Sequence, residues 1–326
     1  MSVYGSPAGA VTMPPFPKPT FAYDYTPAAQ VAALRGHKTA RGIPPRSATT
    51  LLLATWNLAN FGQQERREKD KQLCAEILTW FDLLAVQEVK ENFGDLFDTA
   101  RLMGPGYRVL MSDLAGNDER MAFVYDSSKI KLLENIGHIV IPPADFRHIK
   151  LPGVSGSFTG FDRNPYLGTF QARLFTIQLA CVHLFYGSEQ PADMARRTLE
   201  TFAVARWADL RQGSDLSFTR NVIALGDFNL PKPVPGDPIY NALTARGLEL
   251  PLHSSMVGSN LAGDNHYDQV AIVPGEARAA LTGLQGVFDF DDVVFPDLWQ
   301  SSPANFKTYV KYYLSDHRPV WVQFGI

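Results

Sequence analysis

The chain has 326 residues, 45% of them hydrophobic and 19% charged, and a formal net charge of −3. This composition describes a soluble globular protein with material for a substantial core. It excludes a strongly basic protein that coats nucleic acid, but not an enzyme that touches phosphate at one local site.

Residues 1–48 are rich in Pro, Ala and Thr, as in Met13-Pro14-Pro15-Phe16-Pro17-Lys18-Pro19, and prolines at that density prevent long helices and regular ladders. The segment reads as an N-terminal arm with a short helix near Ala28 to Leu34. Its Phe16, Phe21, Tyr23 and Tyr25 are expected to pack on the main body. No basic start leads into an apolar run there, and no stretch approaches the roughly 20 apolar residues a membrane span needs. The expectation is a cytoplasmic protein without membrane insertion and with no protein partner evident.

From residue 49 onward, short apolar runs recur between turn residues. Strands are predicted at Leu51–Trp56, Leu83–Val89, Tyr107–Met111, Met121–Tyr125, Ile136–Ile141, Tyr166–Phe170, Leu174–His183, Val222–Asp227, Tyr267–Val273 and Val320–Phe324. Helical spacing appears over Lys71–Phe81, Ala192–Leu210 and Ile239–Arg246. The two cysteines, Cys74 and Cys181, fall in a predicted helix and a predicted buried strand, and read as inert core thiols. Strands that both alternate with helices and run consecutively predict packed sheets with helices outside. One domain over 49–326 is the simplest organisation.

Polar residues gather where these apolar runs end. Asn57 closes the first strand and Glu88 sits near the end of the second, where a buried carboxylate needs a partner or a metal. His183 closes a later strand. In Gly226-Asp227-Phe228-Asn229, the glycine is read as letting backbone approach a ligand, with Asp227 and Asn229 pointing the same way along an extended chain. Asp268 opens a further strand, and Asp316-His317 precedes the last one. Carboxylate and carboxamide oxygens without cysteine suit Mg²⁺, Mn²⁺ or Ca²⁺ better than zinc. Two histidines beside acids suit proton transfer near neutral pH.

Trp56-Asn57, Gln87-Glu88-Val89, Val182-His183, Gly226-Asp227-Phe228-Asn229, Tyr267-Asp268 and Ser315-Asp316-His317-Arg318-Pro319 stand in an order that resembles the endonuclease/exonuclease/phosphatase superfamily. The resemblance implies a four-layered α/β sandwich, two packed and mostly antiparallel sheets flanked by helices, and metal-dependent cleavage of a phosphate ester. It implies that Glu88 and Asn57 hold the metal with Asp316 nearby. Asp227 and Asn229 would position water and phosphate, and Asp268 would orient His317 as base.

Glu119-Arg120 resembles the strand of the deoxyribonuclease I branch whose acid supports the first histidine, which would pair Glu119 with His183. Arg163-Asn164-Pro165 resembles a loop of that branch that touches the nucleic-acid backbone. Lys90 stands where the branch usually carries a groove-reading arginine. The function expected is a divalent-metal phosphodiesterase, a DNA endonuclease. The alternatives are a phosphatase or phospholipase-C-like enzyme on inositol phosphates or sphingomyelin, and an inactive interaction module. The stretch from Phe306 to Tyr313 is read either as an aromatic–basic nucleic-acid contact or as an edge strand.

Overall fold

A computed structural model describes residues 15–251 and 257–326. Its strands are β1 (Thr50–Phe61), β2 (Leu83–Val89), β3 (Tyr107–Met111), β4 (Arg120–Asp126), β5 (Ile130–His138), β6 (Tyr166–Ala172), β7 (Phe175–His183), β8 (Val222–Asp227), β9 (Asp268–Ile272), β10 (Leu281–Val287) and β11 (Val320–Gly325). Its helices are α1 (Pro27–Ala40), α2 (Glu68–Leu78), α3 (Gly94–Met103), α4 (Pro191–Gln212), α5 (Pro238–Thr244), α6 (Glu276–Ala279), α7 (Pro296–Ser301) and α8 (Pro303–Tyr313).

One sheet has the order β10-β11-β1-β2-β4-β3 and the other β5-β6-β7-β8-β9. Neighbouring strands are antiparallel except β1/β2 and β7/β8. Alternation along β1 shows the layering. Leu51 and Leu53 enter a core shared with Leu179, Ile223 and Val270 of the second sheet, whereas Leu52, Ala54 and Trp56 face Leu73, Ile77 and Val310 of the helices. On the far side, Ala180, Val182 and Ala224 pack against Val204 and Ala208 of α4. Helices, sheet, sheet and helices make the four-layered sandwich expected.

The arm lies on the first helical layer. Phe16, Phe21, Tyr23 and Tyr25 pack against its core, Tyr25 donates a hydrogen bond to Asp70 at 2.8 Å, and Arg41 and His37 both pair with Asp289. The Pro-rich run up to Pro14 lies outside the described residues.

Four elements differ from the sequence reading. The strand expected over Ile136–Ile141 begins at Ile130 and ends at His138, because its antiparallel pairing with β6 runs from Ile130 opposite Ala172 to His138 opposite Tyr166. Helix α3 and strand β10 carry weak apolar patterns and were not anticipated. Phe306 to Tyr313 is neither an edge strand nor an exposed platform but lies in α8. Ser302 caps the helix and Pro303 fills its first turn, and Phe306, Tyr309, Val310 and Tyr313 recur at helical spacing on its buried face.

Candidate functional site

The parallel pairs β1/β2 and β7/β8 stand at the centre of the two sheets, and both run toward the same end of the sandwich. Glu88, His183 and Asp227 close β2, β7 and β8 or sit next to their last residue, and Asn57 stands in β1 where its regular pairing with β2 breaks. Irregular backbone aims the side chains. Glu88 has φ 61°, beside a register shift between Val86 and Val89, and Ala59 and Asn60 are also left-handed. Such conformations in non-glycine residues cost energy and cluster where function requires them.

Asn57 is fully buried and bridges the sheets. Its Nδ2 donates to Glu88 Oε1 at 2.8 Å and to Asp227 Oδ2 at 3.2 Å, and its Oδ1 accepts from Ala59 N. Glu88 Oε2 accepts from Asn60 N at 2.8 Å. Asp316 lies close enough to feel the Glu88 charge. Burial first, then that neighbouring carboxylate, push its acid group up against the opposing pull of His317.

Two imidazoles converge on Asp227. His183 places Nδ1 3.0 Å from Glu119 Oε2 and Nε2 3.6 Å from Asp227 Oδ2. His317 places Nδ1 2.8 Å from Asp268 Oδ2 and Nε2 3.9 Å from the same Asp227 oxygen. Ligand-type atoms of Glu88, Glu119 and His183 lie within 4.8 Å of one another, as do those of Asp227, Asp268 and His317.

Burial disfavours charge on both histidines, but the facing carboxylates outweigh it. The His183 pKa is raised, and that of His317 is raised well above the usual range. Burial likewise opposes ionisation of Asp227 and Glu119, yet the imidazolium charges, with Arg163 beside Glu119, hold both acids below their ordinary range. Asp268 moves the other way, because its burial outweighs the attraction of His317.

Other residues fix the site from behind. Ser315 Oγ donates to Asn57 O at 2.7 Å and accepts from His317 N, and Trp56 Nε1 donates to His317 O at 2.8 Å. Asp268 N is held by Ser259 Oγ. Ser315 and Trp56 stand inside the motifs quoted above. Nothing in the local sequence marks Ser259.

The sequence readings of four residues change. Asn229 does not continue an extended chain beside Asp227, because its φ is 53°; its N donates to Asp227 Oδ1 and its Nδ2 to Leu184 O. Gly226, at φ 137°, makes room for a strand rather than a ligand, since a Cβ there would sit 2.1 Å from Val182 O. Lys90 and Arg163 are buried with inward donors. Lys90 Nζ reaches Asn117 O at 2.7 Å, and Arg163 donates to His183 O at 2.7 Å and Leu184 O at 2.9 Å and forms an ion pair with Glu119 at 3.0 Å. A guanidinium has a fixed fork of donors, and here the fork is filled by the His183 strand end and its acid rather than left for a phosphate.

No protein-family model matches the sequence, and comparison with curated proteins finds no match. Solved structures do match. Humanized D. rerio TDP2 aligns with a TM-score of 0.56 at 16% identity, covering 86% of this chain and 100% of that one. D. rerio TDP2 complexed with single strand DNA product aligns with a TM-score of 0.56 at 15% identity, over 85% and 99%. An endonuclease/exonuclease/phosphatase family protein from Bacteroides thetaiotaomicron aligns with a TM-score of 0.50 at 17% identity, over 84% and 94%. The chain has the endonuclease/exonuclease/phosphatase, deoxyribonuclease I-like fold.

Proposed function

We propose that this protein is a divalent-cation-dependent phosphodiesterase whose substrate is DNA. One observation carries the reading: two histidines, each backed by a buried carboxylate, face a shared Asp227 beside the Asn57–Glu88 pair. A diester needs a proton removed from attacking water and a proton delivered to the leaving oxygen, and the site holds two imidazoles for these jobs.

The residues also suit a hard cation. Glu88 and Asp316 bring two carboxylates near each other in a buried place with no thiolate, and the Asn57 amide N–H holds Glu88 in position. Mg²⁺, Mn²⁺ or Ca²⁺ held there would offset charge developing on the phosphoryl oxygens and draw down the affinity of both imidazoles for protons. Asp268 fixes the tautomer of His317, leaving Nε2 to take the proton of water. Glu119 does the same for His183, whose Nε2 then donates to the leaving oxygen. Asp227, between them, holds both rings in reach of one reacting centre. Asn229 supports this arrangement through Leu184 O.

The inward donors of Lys90 and Arg163 favour a diester over a polyphosphate, which calls for several free cations around it. The structure of D. rerio TDP2 with a single strand DNA product supports DNA as a ligand class for this fold. Among the described residues no helix is long and apolar enough to cross a membrane.

The test offers supercoiled plasmid, an abasic oligonucleotide, sphingomyelin and inositol phosphates with Mg²⁺, Mn²⁺, Ca²⁺ or EDTA. Plasmid nicking that requires cation and disappears in His183→Ala is the expected result. No turnover of any substrate with any metal sinks the enzyme reading, and turnover of lipid or inositol phosphate alone sinks the DNA assignment.

A further inference from the structure

Arg66 is the least expected charge in the protein. It is 5% exposed, and none of its hydrogen bonds goes to a carboxylate. Its Nη2 donates to Leu58 O at 2.6 Å, Ala59 O at 2.8 Å and Leu314 O at 2.8 Å, and its Nε donates to Tyr313 O at 3.2 Å. The guanidinium lies 4.6 Å from the centre of the Phe61 ring, and Nη1 is buried without a hydrogen-bond partner. A buried cation with only carbonyls for company is costly, and burial pulls its proton affinity down. A methionine or leucine would fill the same space without that cost.

The carbonyls it gathers explain the choice. Leu58 and Ala59 directly follow Asn57, and Tyr313 and Leu314 directly precede Ser315-Asp316-His317. Gln64 extends the same clamp, its Nε2 donating to Lys311 O at 3.2 Å and Tyr312 O at 2.6 Å. The last turn of a helix leaves its carbonyls without intrahelical partners and carries the negative end of the helix dipole. In α8 two side chains from the β1–α2 loop meet those carbonyls, and one of them simultaneously grips the exit of β1. The Asn57 and Asp316 segments are far apart in sequence, and Arg66, like Ser315, hydrogen-bonds the backbone of both, but from a third segment.

We infer that Arg66 is a positioning residue, fixing the spacing between the Asn57–Glu88 and Asp316–His317 halves of the cation and proton-transfer site by bridging their backbones. The inference rests on the functional reading above. A residue acting this way sets cation affinity and turnover, whereas an ordinary core residue sets only stability.

The test compares the full-length wild type with Arg66→Met, Arg66→Lys and Arg66→Ala, and with Arg67→Met as control. Arg67 also packs on α8, through Tyr309 and Tyr313, but does not reach the Asn57 side. Mn²⁺ binding is followed by calorimetry, and hydrolysis of bis(4-nitrophenyl) phosphate gives kcat and KM, both well below each melting temperature. In Arg66→Met, Mn²⁺ affinity falls about 10- to 100-fold, the range seen when supporting partners of a metal site are removed. Its kcat falls with it while KM stays within about threefold. Arg66→Lys, a point charge without the fork, recovers little, and guanidinium ion restores part of the activity of Arg66→Ala.

Wild-type Mn²⁺ affinity and kcat in folded Arg66→Met or Arg66→Lys overturn the inference. So does an equal loss in Arg67→Met at matched stability. A wild type that neither binds Mn²⁺ nor turns over any phosphodiester removes the functional reading itself, and that result is read from a different sample.

Discussion

His317 Nδ1 stands 2.8 Å from Asp268 Oδ2, and the opposite ring nitrogen therefore points toward Asp227 rather than into the protein. Asp268 comes from the second sheet and His317 from the approach to β11 in the first. Its second oxygen, Oδ1, is buried without a hydrogen-bond partner, so orienting the ring is the main work of this carboxylate.

Asp268→Asn keeps the shape and removes the charge. An amide that donates to Nδ1 turns the ring to the wrong tautomer, and a base or acid so disabled costs about 10²–10⁴-fold in rate. The expected outcome is that loss in kcat for plasmid nicking and for a small phosphodiester, with little change in melting temperature.

Arg163→Met removes the fork that holds His183 O, Leu184 O and Glu119. Leaving Glu119 without its buried cation destabilises the fold by about 3–5 kcal/mol. Turnover falls because His183 loses its support, while KM for DNA changes little. A large rise in KM with unchanged kcat contradicts the inward role and returns Arg163 to the substrate.

Gly226→Ala puts a methyl group on the Val182 carbonyl at a position with φ 137°. Strands β7 and β8 have to separate, at a cost of at least about 3 kcal/mol. Chemical denaturation measures it. A variant as stable as the wild type removes the close-approach account of this glycine.

Glu200 gives a pH dependence. Buried in α4, it accepts from the backbone N–H groups of Asp162 and Phe185, and burial pushes its carboxyl from an ordinary 4.5 to about 7. The folded state therefore holds a proton that the unfolded chain has already released between pH 4.5 and about 7. Stability from this group is present below that window and is lost as pH rises through it, by up to roughly 3 kcal/mol. Denaturation of the wild type across the window shows the fall, and Glu200→Gln flattens it. An equally steep decline in the variant assigns the effect to other groups.

How much was legible in the sequence depended on whether a residue's neighbours in the chain are also its neighbours in space. Asn57, Glu88, His183 and Asp227 were visible because each sits at the end of an apolar run, and strand ends in packed sheets meet at one edge of the sandwich. Glu119 joined them only through resemblance, since nothing before β4 marks an acid that reaches His183. Lys90 and Arg163 were placed correctly in the chain and wrongly in direction. Residue type says that an arginine can fork, but not whether carbonyls or phosphates fill the fork, and that depends on the path of a loop. Arg66 was invisible for the same reason, because its partners are backbone oxygens contributed by segments distant in sequence.

The pairs Asn57–Asp227, Glu119–His183 and Asp268–His317 share one property: in each, one member lies in or just before a strand of the first sheet and the other in a strand of the second. The site is thus three stitches across a seam, and the apolar filling between the sheets sets the stitch length. A void opened deep in that filling, at Phe170 or Leu179 for instance, lies far from any reacting atom but loosens all three stitches together. The proposed activity should therefore gauge the gap between the two layers, and the expected outcome on warming is a fall in phosphodiester hydrolysis before the melting transition recorded by spectroscopy.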